Sequence, residues 1–258
     1  MKDTLSIGAI FLCLALCSGC GKDEQEASLS TQRESPPKLS KDLGVSEKMI
    51  TLPTPAYSSR VSVEEAIAKR MSTRRFSDQP LAMKDVSQLL WAAAGKHTVD
   101  SCTGATRTCP SASGIYPLEV YLVAGNVTGL DAGVYIYGWQ SHAIKLVKNG
   151  DIRMQLAVAL RNPATKRNMM IDGSPACLVF TIHGEPVGDE NANTTDLRRI
   201  EVGHAAQNLH LQAEALGMGT VVLGNFNPQA TAEIKKVLGL KEEIPVYIMP
   251  VGKKQRDT

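Results

Sequence analysis

The amino-acid sequence predicts an α+β domain in which helices cover a central sheet. Stretches with apolar side chains at helical spacing alternate along the chain with short runs rich in β-branched and aromatic residues. No internal repeat interrupts this alternation, and 258 residues with 43% hydrophobic residues suffice for one sizeable core. We therefore expect a single folded domain of helices packed on a sheet.

Each predicted element follows from a local pattern. The first helix begins with the capping sequence Ser62-Val63-Glu64-Glu65, and the second ends at Gly95. The predicted helices cover residues 62–70, 83–94, 150–161, 200–217 and 229–239. The predicted strands cover residues 118–124, 133–138, 142–147, 176–184 and 246–252, of which the second and third form a hairpin pair.

Composition argues against nucleic-acid binding. The chain has 28 Lys and Arg against 26 Asp and Glu, a formal net charge of +2, so no concentrated basic face is expected. Aromatic residues make up 5% of the chain and offer few platforms for stacking bases. Nucleic acid is therefore not an expected partner.

The N-terminus has the pattern of an export signal. Residues 5–19 form an apolar run that is too short to span a bilayer comfortably. The string Leu16-Cys17-Ser18-Gly19-Cys20 resembles a bacterial lipoprotein signal, in which the last cysteine is lipidated. An ordinary cleaved signal or an uncleaved anchor is the alternative, because Asp3 offsets the charge of Lys2. We expect a signal peptide at 1–19 and an exported lipoprotein, anchored through Cys20 on the extracytoplasmic side of the membrane.

A polar stretch at residues 20–60 separates this signal from the rest of the chain. It contains GKDEQEASLSTQRESPPKLSKDL and lacks the periodic apolar residues whose burial could offset the entropy cost of ordering. The sequence therefore predicts a flexible tether, followed by a folded domain at 61–258.

Export places the remaining cysteines in an oxidising compartment. Cys102 and Cys109 bracket the stretch CTGATRTC, which could close a small disulfide ring. A metal site is the weaker alternative, because two cysteines supply half of a usual ligand set. Cys177 lies within ACLVFTI and is expected to be a buried core residue.

Arg70, Ser72 and Arg74 occupy alternate positions directly after the first predicted helix. Alternate residues of an extended segment share one face, so these three side chains could meet a single ligand. Two guanidiniums and a small hydroxyl suit a phosphate. Taken alone, the pattern is also typical of a basic run that faces water.

Five sequence blocks occur in one order over nearly the whole predicted domain. They are Arg70-x-Ser72-x-Arg74-x-Phe76, QLLWAAAGK, RTCPSASGIYPLEVYLV, IEVGHAAQNLHLQAEALGMGTVVLGNF and IMPVGK. The set resembles the nitroreductase-like FMN flavoenzymes, in particular the branch of the SagB-type azoline dehydrogenases and their stand-alone relatives. The resemblance implies an α+β sandwich with a mostly antiparallel central sheet flanked by helices. It also implies non-covalently bound FMN and a homodimer with the flavin at the subunit interface.

The same resemblance assigns one group of residues to the tail of the cofactor. Arg70, Ser72 and Arg74 are expected to contact the FMN phosphate, ribityl chain and pyrimidine edge. Lys253, or failing it Lys254, lies where the last strand of the family delivers a cation to the phosphate. A solvated C-terminal lysine pair is the alternative.

A second group is assigned to the flavin ring. Pro110, Ser111 and Ser113 match a Pro-Ser block that approaches the flavin, often from the partner subunit. Gly224 and Asn225 match a loop whose backbone N–H lies near flavin N5. An ordinary turn and an ordinary strand-to-helix connection are the respective alternatives.

Two further patterns bear on the chemistry. Glu201 and His204 share a helix face like half of a carboxylate-bridged metal site, but no second pair accompanies them, and we predict no metal. The stretch Thr195-Asp196-Leu197-Arg198-Arg199 stands where peptide-modifying azoline oxidases carry a Lys-Tyr pair, which weighs against azole formation. If Cys102 and Cys109 were free, they could exchange electrons with the flavin.

The resemblance therefore implies an FMN-dependent oxidoreductase that passes two electrons through flavin N5 to or from a small or peptidic substrate. NAD(P)H, a quinone, a redox protein and direct oxidation of the substrate stay open as electron sources. The alternative is a non-catalytic, membrane-tethered module that uses the same fold to bind a ligand or a protein.

The lipoprotein signal makes a direct prediction. Replacing Cys20 with Ala removes the thiol that would carry the lipid, so the variant should lose metabolic labelling by a radioactive fatty acid. Cys17→Ala is the matched control and should keep the label. Equal labelling of wild type and Cys20→Ala would contradict the assignment.

Overall fold

The computed structural model describes residues 49–98, 106–161, 167–183 and 192–255. The predicted signal peptide, the lipidated Cys20 and the tether up to residue 48 lie outside these ranges, as does Cys102. Those predictions therefore stay predictions.

A seven-stranded sheet forms the centre of the domain, and every neighbouring pair of its strands is antiparallel. The strands follow the order β1-β6-β5-β3-β7-β9-β8 across the sheet. Their bounds are β1 Met49–Thr51, β3 Leu118–Ala124, β5 Gly133–Gly138, β6 Ala143–Asn149, β7 Ala176–Ile182, β8 Met218–Thr220 and β9 Ile244–Lys253. Two short strands, β2 Leu81–Ala82 and β4 Val127–Thr128, form a separate parallel pair.

Six α-helices accompany this sheet in the described residues: α1 Val63–Lys69, α2 Met83–Ala94, α3 Arg153–Ala159, α4 Met169–Asp172, α5 Ala192–Ala215 and α6 Pro228–Leu238. The predicted cap of α1 is confirmed, because the Ser62 hydroxyl accepts a hydrogen bond from the Glu65 N–H at 3.1 Å. No helix in the described part of the chain has both the length and the apolar character needed to cross a membrane.

The helices cover both faces of the sheet, as β7 shows. Leu178 and Phe180 of β7 pack in one core cluster with Leu89 of α2 and Leu209 of α5. Cys177 and Val179, which point to the other face, pack in a second cluster with residues of α3, α4 and α6. The predicted α+β sandwich with a mostly antiparallel central sheet is therefore confirmed.

The ordered domain begins by Met49, earlier than the predicted boundary at Val61. Strand β1 pairs with β6, and Leu52 behind it is buried. A strand of three residues is too short to show a hydrophobic period, so the pattern of the sequence could not reveal it. Helix α5 likewise begins before the predicted start at residue 200.

Residues 52–62, here called the strap, connect β1 to α1 and are held by three polar side chains, of which Ser87 and Gln88 are buried and His142 is half-buried. The Pro53 carbonyl accepts hydrogen bonds from Ser87 and His142, and the latter bond is 3.0 Å long. Gln88 binds both backbone groups of Ala56: its Oε1 accepts from the N–H at 2.8 Å, and its Nε2 donates to the carbonyl at 3.0 Å. The strap is thereby fixed to α2 and to the β5–β6 turn.

Truncation of Gln88 should weaken this attachment. In Gln88→Ala, the Ala56 backbone groups lose their partner, so the free energy of unfolding should fall by ~1–3 kcal/mol. Gln207→Ala, which truncates an exposed glutamine of α5, should change it by less than ~0.5 kcal/mol. Urea denaturation of both variants measures the difference, and equal stabilities would show that the strap does not depend on Gln88.

Candidate functional site

The segment after α1 wraps around the end of the sheet where β8 and β9 meet. Ser72 forms a parallel bridge with Thr220, and the Thr73 N–H donates to the Thr220 carbonyl at 2.9 Å. Further along, the Ser77 N–H donates to the Lys253 carbonyl at 3.0 Å. The predicted phosphate-binding segment and the predicted C-terminal lysine therefore come together.

Gly219 permits this close approach. A Cβ atom added at Gly219 would lie 2.2 Å from Thr73 Oγ1 and 2.4 Å from Thr73 Cβ. Both distances are shorter than any contact that a Cβ atom makes in real proteins. The Thr73 side chain therefore fills the space where any larger residue at position 219 would sit. This contact fixes the register of the segment on β8.

Arg70, Ser72, Arg74 and Lys253 make up what we call the cationic edge. Arg70, at the C-cap of α1, is half-buried, as are Ser72 and Lys253, whereas Arg74 is exposed. The Lys253 ammonium donates to the Leu216 carbonyl, just beyond α5, at 3.2 Å. The edge thus presents a hydroxyl and three cations, of the kind that bind phosphate in proteins.

The positive charge of the cationic edge is not neutralised by carboxylates. Two neighbouring lysines are paired: Lys69 with Glu65 at 2.6 Å and Lys254 with Glu214 at 2.8 Å. By contrast, Arg70, Arg74 and Lys253 form no ion pair with any carboxylate in the described residues. The arrangement leaves three cations available to an anionic ligand.

His210 lies beside this edge and is neutral at pH 7. Burial on α5, with a smaller contribution from the charge of Arg70, lowers the pKa of His210 to about 4. The imidazole therefore adds no further positive charge next to Arg70 at neutral pH. The sequence pattern around His210 did not distinguish it from an ordinary buried residue of a helix.

Gly224 and Asn225 lie on a loop that is fixed to β9. Leu223 and Ile248 exchange two backbone hydrogen bonds, of 2.9 and 2.8 Å. A Cβ at Gly224 would lie 2.7 Å from the ring of Tyr247, so the loop backbone packs directly on that side chain. Asn225 has a left-handed backbone with φ of 57°.

This loop and the cationic edge contact β9 at different points along the strand. Ile248 and Lys253 are separated by five residues of β9, or ~17 Å of extended strand. Gly224 and Asn225 line a cleft of about 620 Å³ between the end of α3 and the start of α6. The two predicted contact groups are thus well separated along β9, a spacing that suits a long ligand.

Pro110 and Ser111 lie elsewhere in the same chain, next to the first half of α5. The Ser111 hydroxyl accepts from the Tyr116 N–H at 2.8 Å. Ser111 also lies near Glu201, where its hydroxyl partly counters the rise that burial causes in the pKa of that carboxyl. Glu201 is separated by thirteen residues, ~20 Å of helix, from Glu214, which binds Lys254 at the other end. One chain therefore does not bring the Pro-Ser block to the cationic edge. The side chain of Ser113 lies outside the described part of the structure.

The burial of two charged residues near the Pro-Ser block was not predicted. Arg107 is 8% exposed, donates to the Leu118 carbonyl at 2.7 Å, and lies over the ring of Trp139 at 4.8 Å. Glu201 is 2% exposed, and burial raises the pKa of its carboxyl. Sequence patterns did not indicate the burial of either side chain, because an arginine in a polar loop and a glutamate on a helix are ordinarily exposed.

The structure describes some, but not all, of the residues in the cysteine and metal predictions. Cys109 is buried and forms no disulfide with any described residue, and burial raises the pKa of its thiol to about 11. Its predicted partner, Cys102, lies outside the described ranges, so the pairing stays a prediction. Cys177 is confirmed as buried core. His204 is exposed while Glu201 is buried, and no group of three metal-ligating side chains is found in the described residues.

Comparison with known proteins identifies the family. The model of the Nitroreductase family matches residues 67–253. The chain is 34% identical over 198 residues to the nitroreductase-like protein MJ1384 of Methanocaldococcus jannaschii, covering 75% of this chain and 92% of that protein.

Solved structures show the same fold. A nitroreductase-like protein of Ralstonia eutropha JMP134 superposes with a TM-score of 0.66 at 28% identity, covering 83% of this chain and 93% of that one. The E. coli microcin synthetase complex McbBCD, with truncated pro-MccB17 bound, contains a chain with a TM-score of 0.59 at 20% identity, covering 81% and 80%. The family match spans the cationic edge, the Pro-Ser block and the Gly224 loop, and the chain belongs to the Nitroreductase family.

Proposed function

We propose that this protein is an FMN-dependent oxidoreductase that binds the FMN phosphate at the cationic edge. The observation that carries the proposal is the open positive charge of Arg70, Arg74 and Lys253, beside lysines that are already paired. An oxidoreductase activity is consistent with membership of the Nitroreductase family. The identity of the cofactor rests on the residues themselves and on the resemblance of the sequence to FMN enzymes.

The donor set fits a phosphate monoester. Arginine offers a planar fork of N–H groups, lysine a point charge, and Ser72 a short hydroxyl that does not crowd the ligand. The half-buried positions of Arg70 and Lys253 reduce screening by water and strengthen their attraction for a dianion. Ser72 is held in place by the bridge to Thr220, so the donors are positioned before the ligand arrives.

The rigid loop at Gly224 and Asn225 would hold the other end of the cofactor. FMN, when bound, supplies two-electron chemistry through its ring. The backbone N–H groups of the loop are suited to hydrogen-bond the ring edge, because pairing with Ile248 prevents the loop from moving away. The fixed backbone of Gly224 and Asn225 would thus hold the ring edge beside the cleft that these residues line.

We further propose that two copies of the chain complete the site. Within one chain, Ser111 is near Glu201 and far from the cationic edge, which favours contact of Pro110, Ser111 and Ser113 with a flavin bound to a second copy. A homodimer with two equivalent sites would provide this contact. The substrate is then a small molecule or a peptide that reaches the cleft beside the Gly224 loop. NAD(P)H is one candidate electron donor.

The phosphate site predicts how variants bind flavin. Arg70→Ala and Arg74→Ala should each weaken FMN binding by about 10- to 100-fold, because each removes charged hydrogen bonds to the phosphate. Riboflavin, which lacks the phosphate, should bind wild type and both variants with similar affinity. Fluorescence titration of flavin-free protein measures these constants.

Lys69→Ala is the matched control, since Lys69 neighbours Arg70 but is paired with Glu65. It should bind FMN within about twofold of the wild type. Failure of wild-type protein to bind FMN would favour a non-catalytic module on the same fold. Equal weakening of riboflavin and FMN binding in the arginine variants would place the phosphate elsewhere.

The buried His210 predicts a pH dependence of stability. Burial, with a smaller contribution from Arg70, lowers the pKa of His210 from 6.5 to about 4, so the unfolded chain binds the proton more readily between these values. The contribution of neutral His210 is therefore complete above pH 6.5 and is lost as the pH falls towards 4. Wild type should lose up to ~3 kcal/mol more of its unfolding free energy over this range than His210→Gln. Parallel pH profiles in urea denaturation would contradict the assignment.

A further inference from the structure

A second cleft, of about 960 Å³, lies under the strap and is separate from the cationic edge. Its walls come from the strap, α1, α2 and the second half of α5, and its volume is in the range of small-molecule sites. Arg70, Ser72, Arg74 and Lys253 are not among the residues that line it. Its apolar lining includes Val61, Val63, Ala66, Ala92, Leu211 and Leu216.

An aromatic wall closes one side of this cleft. The ring of Trp91 is pinned, because its Nε1–H donates to the Lys96 carbonyl at 3.2 Å and its own backbone carbonyl accepts from Thr108 at 2.9 Å. Tyr57 of the strap meets Trp91 at a centroid distance of 5.4 Å with an interplanar angle of 59°. A fixed indole next to aliphatic side chains favours a flat ring.

The orientation of the amide side chains in the cleft is determined by the backbone of the strap. The Ala56 N–H requires an acceptor, and the Ala56 carbonyl requires a donor. The Gln88 amide is therefore oriented with Oε1 towards the N–H and Nε2 towards the carbonyl. Gln88 Nε2 also donates to Gln212 Oε1 at 3.0 Å. The Nε2 donor of Gln212 is therefore the group left for a ligand.

Asn208 is set in the opposite sense. Its Nδ2 donates to the Thr108 carbonyl at 3.3 Å, which leaves Oδ1 as an acceptor. Asn208 and Gln212 are four residues apart on α5 and so lie next to each other on one face of the helix. The cleft thus offers one donor and one acceptor side by side. Its charged lining residues Lys84 and Asp85 offset each other, which favours a neutral ligand.

We propose that this cleft binds a neutral, planar heteroaromatic ring whose edge carries an adjacent carbonyl and N–H, as a carboxamide or a lactam does. The ligand carbonyl accepts from Gln212 Nε2, its N–H donates to Asn208 Oδ1, and its ring packs on Trp91. This site is additional to the flavin site and does not depend on it.

Two probes test whether the ligand carries a carboxamide or a lactam: nicotinamide represents the carboxamide, and uracil represents the lactam. Calorimetric titration of the full protein should show binding of at least one of them. Nicotinic acid is a carboxylate at neutral pH and has no N–H to donate to Asn208 Oδ1. If nicotinamide binds, nicotinic acid should therefore bind at least about tenfold more weakly. The same titrations in Arg70→Ala protein should give unchanged constants, which separates this site from the FMN site.

Gln212→Glu tests the donor with little change in shape. The new carboxylate still accepts from Gln88 Nε2 but presents an oxygen where the wild type presents the donor, so binding of the probes should fall by at least about tenfold. Gln207→Glu adds the same charge at an exposed position of α5 outside the cleft lining and should leave binding within about twofold. The proposal is overturned if neither probe binds at its solubility limit, if nicotinic acid binds as well as nicotinamide, or if Gln212→Glu binds like the wild type.

Discussion

The pairing of residues 70–77 with the ends of β8 and β9 is the constraint on which the rest of the candidate site depends. Backbone hydrogen bonds from Thr73 to Thr220 and from Ser77 to Lys253 fix this segment at two points. The contact between Thr73 and Gly219 excludes any larger residue at position 219. Because alternate side chains of an extended segment point to opposite sides, a shift by one residue would turn the arginines away from Lys253.

The pattern of paired and unpaired cations around this segment indicates what kind of ligand it can bind. Along the same stretch of surface, Lys69 and Lys254 are neutralised by glutamates, whereas Arg70, Arg74 and Lys253 form no ion pair with a carboxylate of the described ranges. Placing like charges together costs free energy unless an anion is bound between them. The neutral state of buried His210 avoids adding a further charge beside Arg70. The proposed phosphate-bearing cofactor would account for both the excess of cations and the neutral state of His210.

The long helix α5 connects the parts of the molecule that carry function. Its first half carries Glu201 next to the Pro-Ser block, and its second half carries His210 near Arg70 and Glu214, which binds Lys254. The Leu216 carbonyl, which accepts from Lys253, follows directly after its last residue. Another face of its second half, with Asn208 and Gln212, lines the cleft under the strap. Changes in the packing of α5 would consequently reach the cationic edge and the strap together.

Local sequence patterns predicted the elements in which apolar residues recur at a regular period or form a continuous run. Strand β7 could be recognised because all seven of its residues, ACLVFTI, are buried between two helical layers. The first turns of α5, which begin ANTTDL, have no apolar period and were missed.

The strap could not be predicted for a different reason. It is held by His142 and Gln88, 89 and 32 residues away from their partners in the strap, and such contacts leave no trace in local spacing. The cationic edge was anticipated from Arg70, Ser72 and Arg74. The burial of Arg107 and Glu201 was not, since it arises only once α5 and the Pro-Ser block have packed together.

A crystal structure of the protein grown with saturating FMN tests the central claim most directly. The account predicts the phosphate within hydrogen-bonding distance of Arg70, Ser72 and Lys253, and the ring edge against the backbone of Gly224 and Asn225. FMN bound with its phosphate away from this edge, or crystals with no flavin at full saturation, would contradict it.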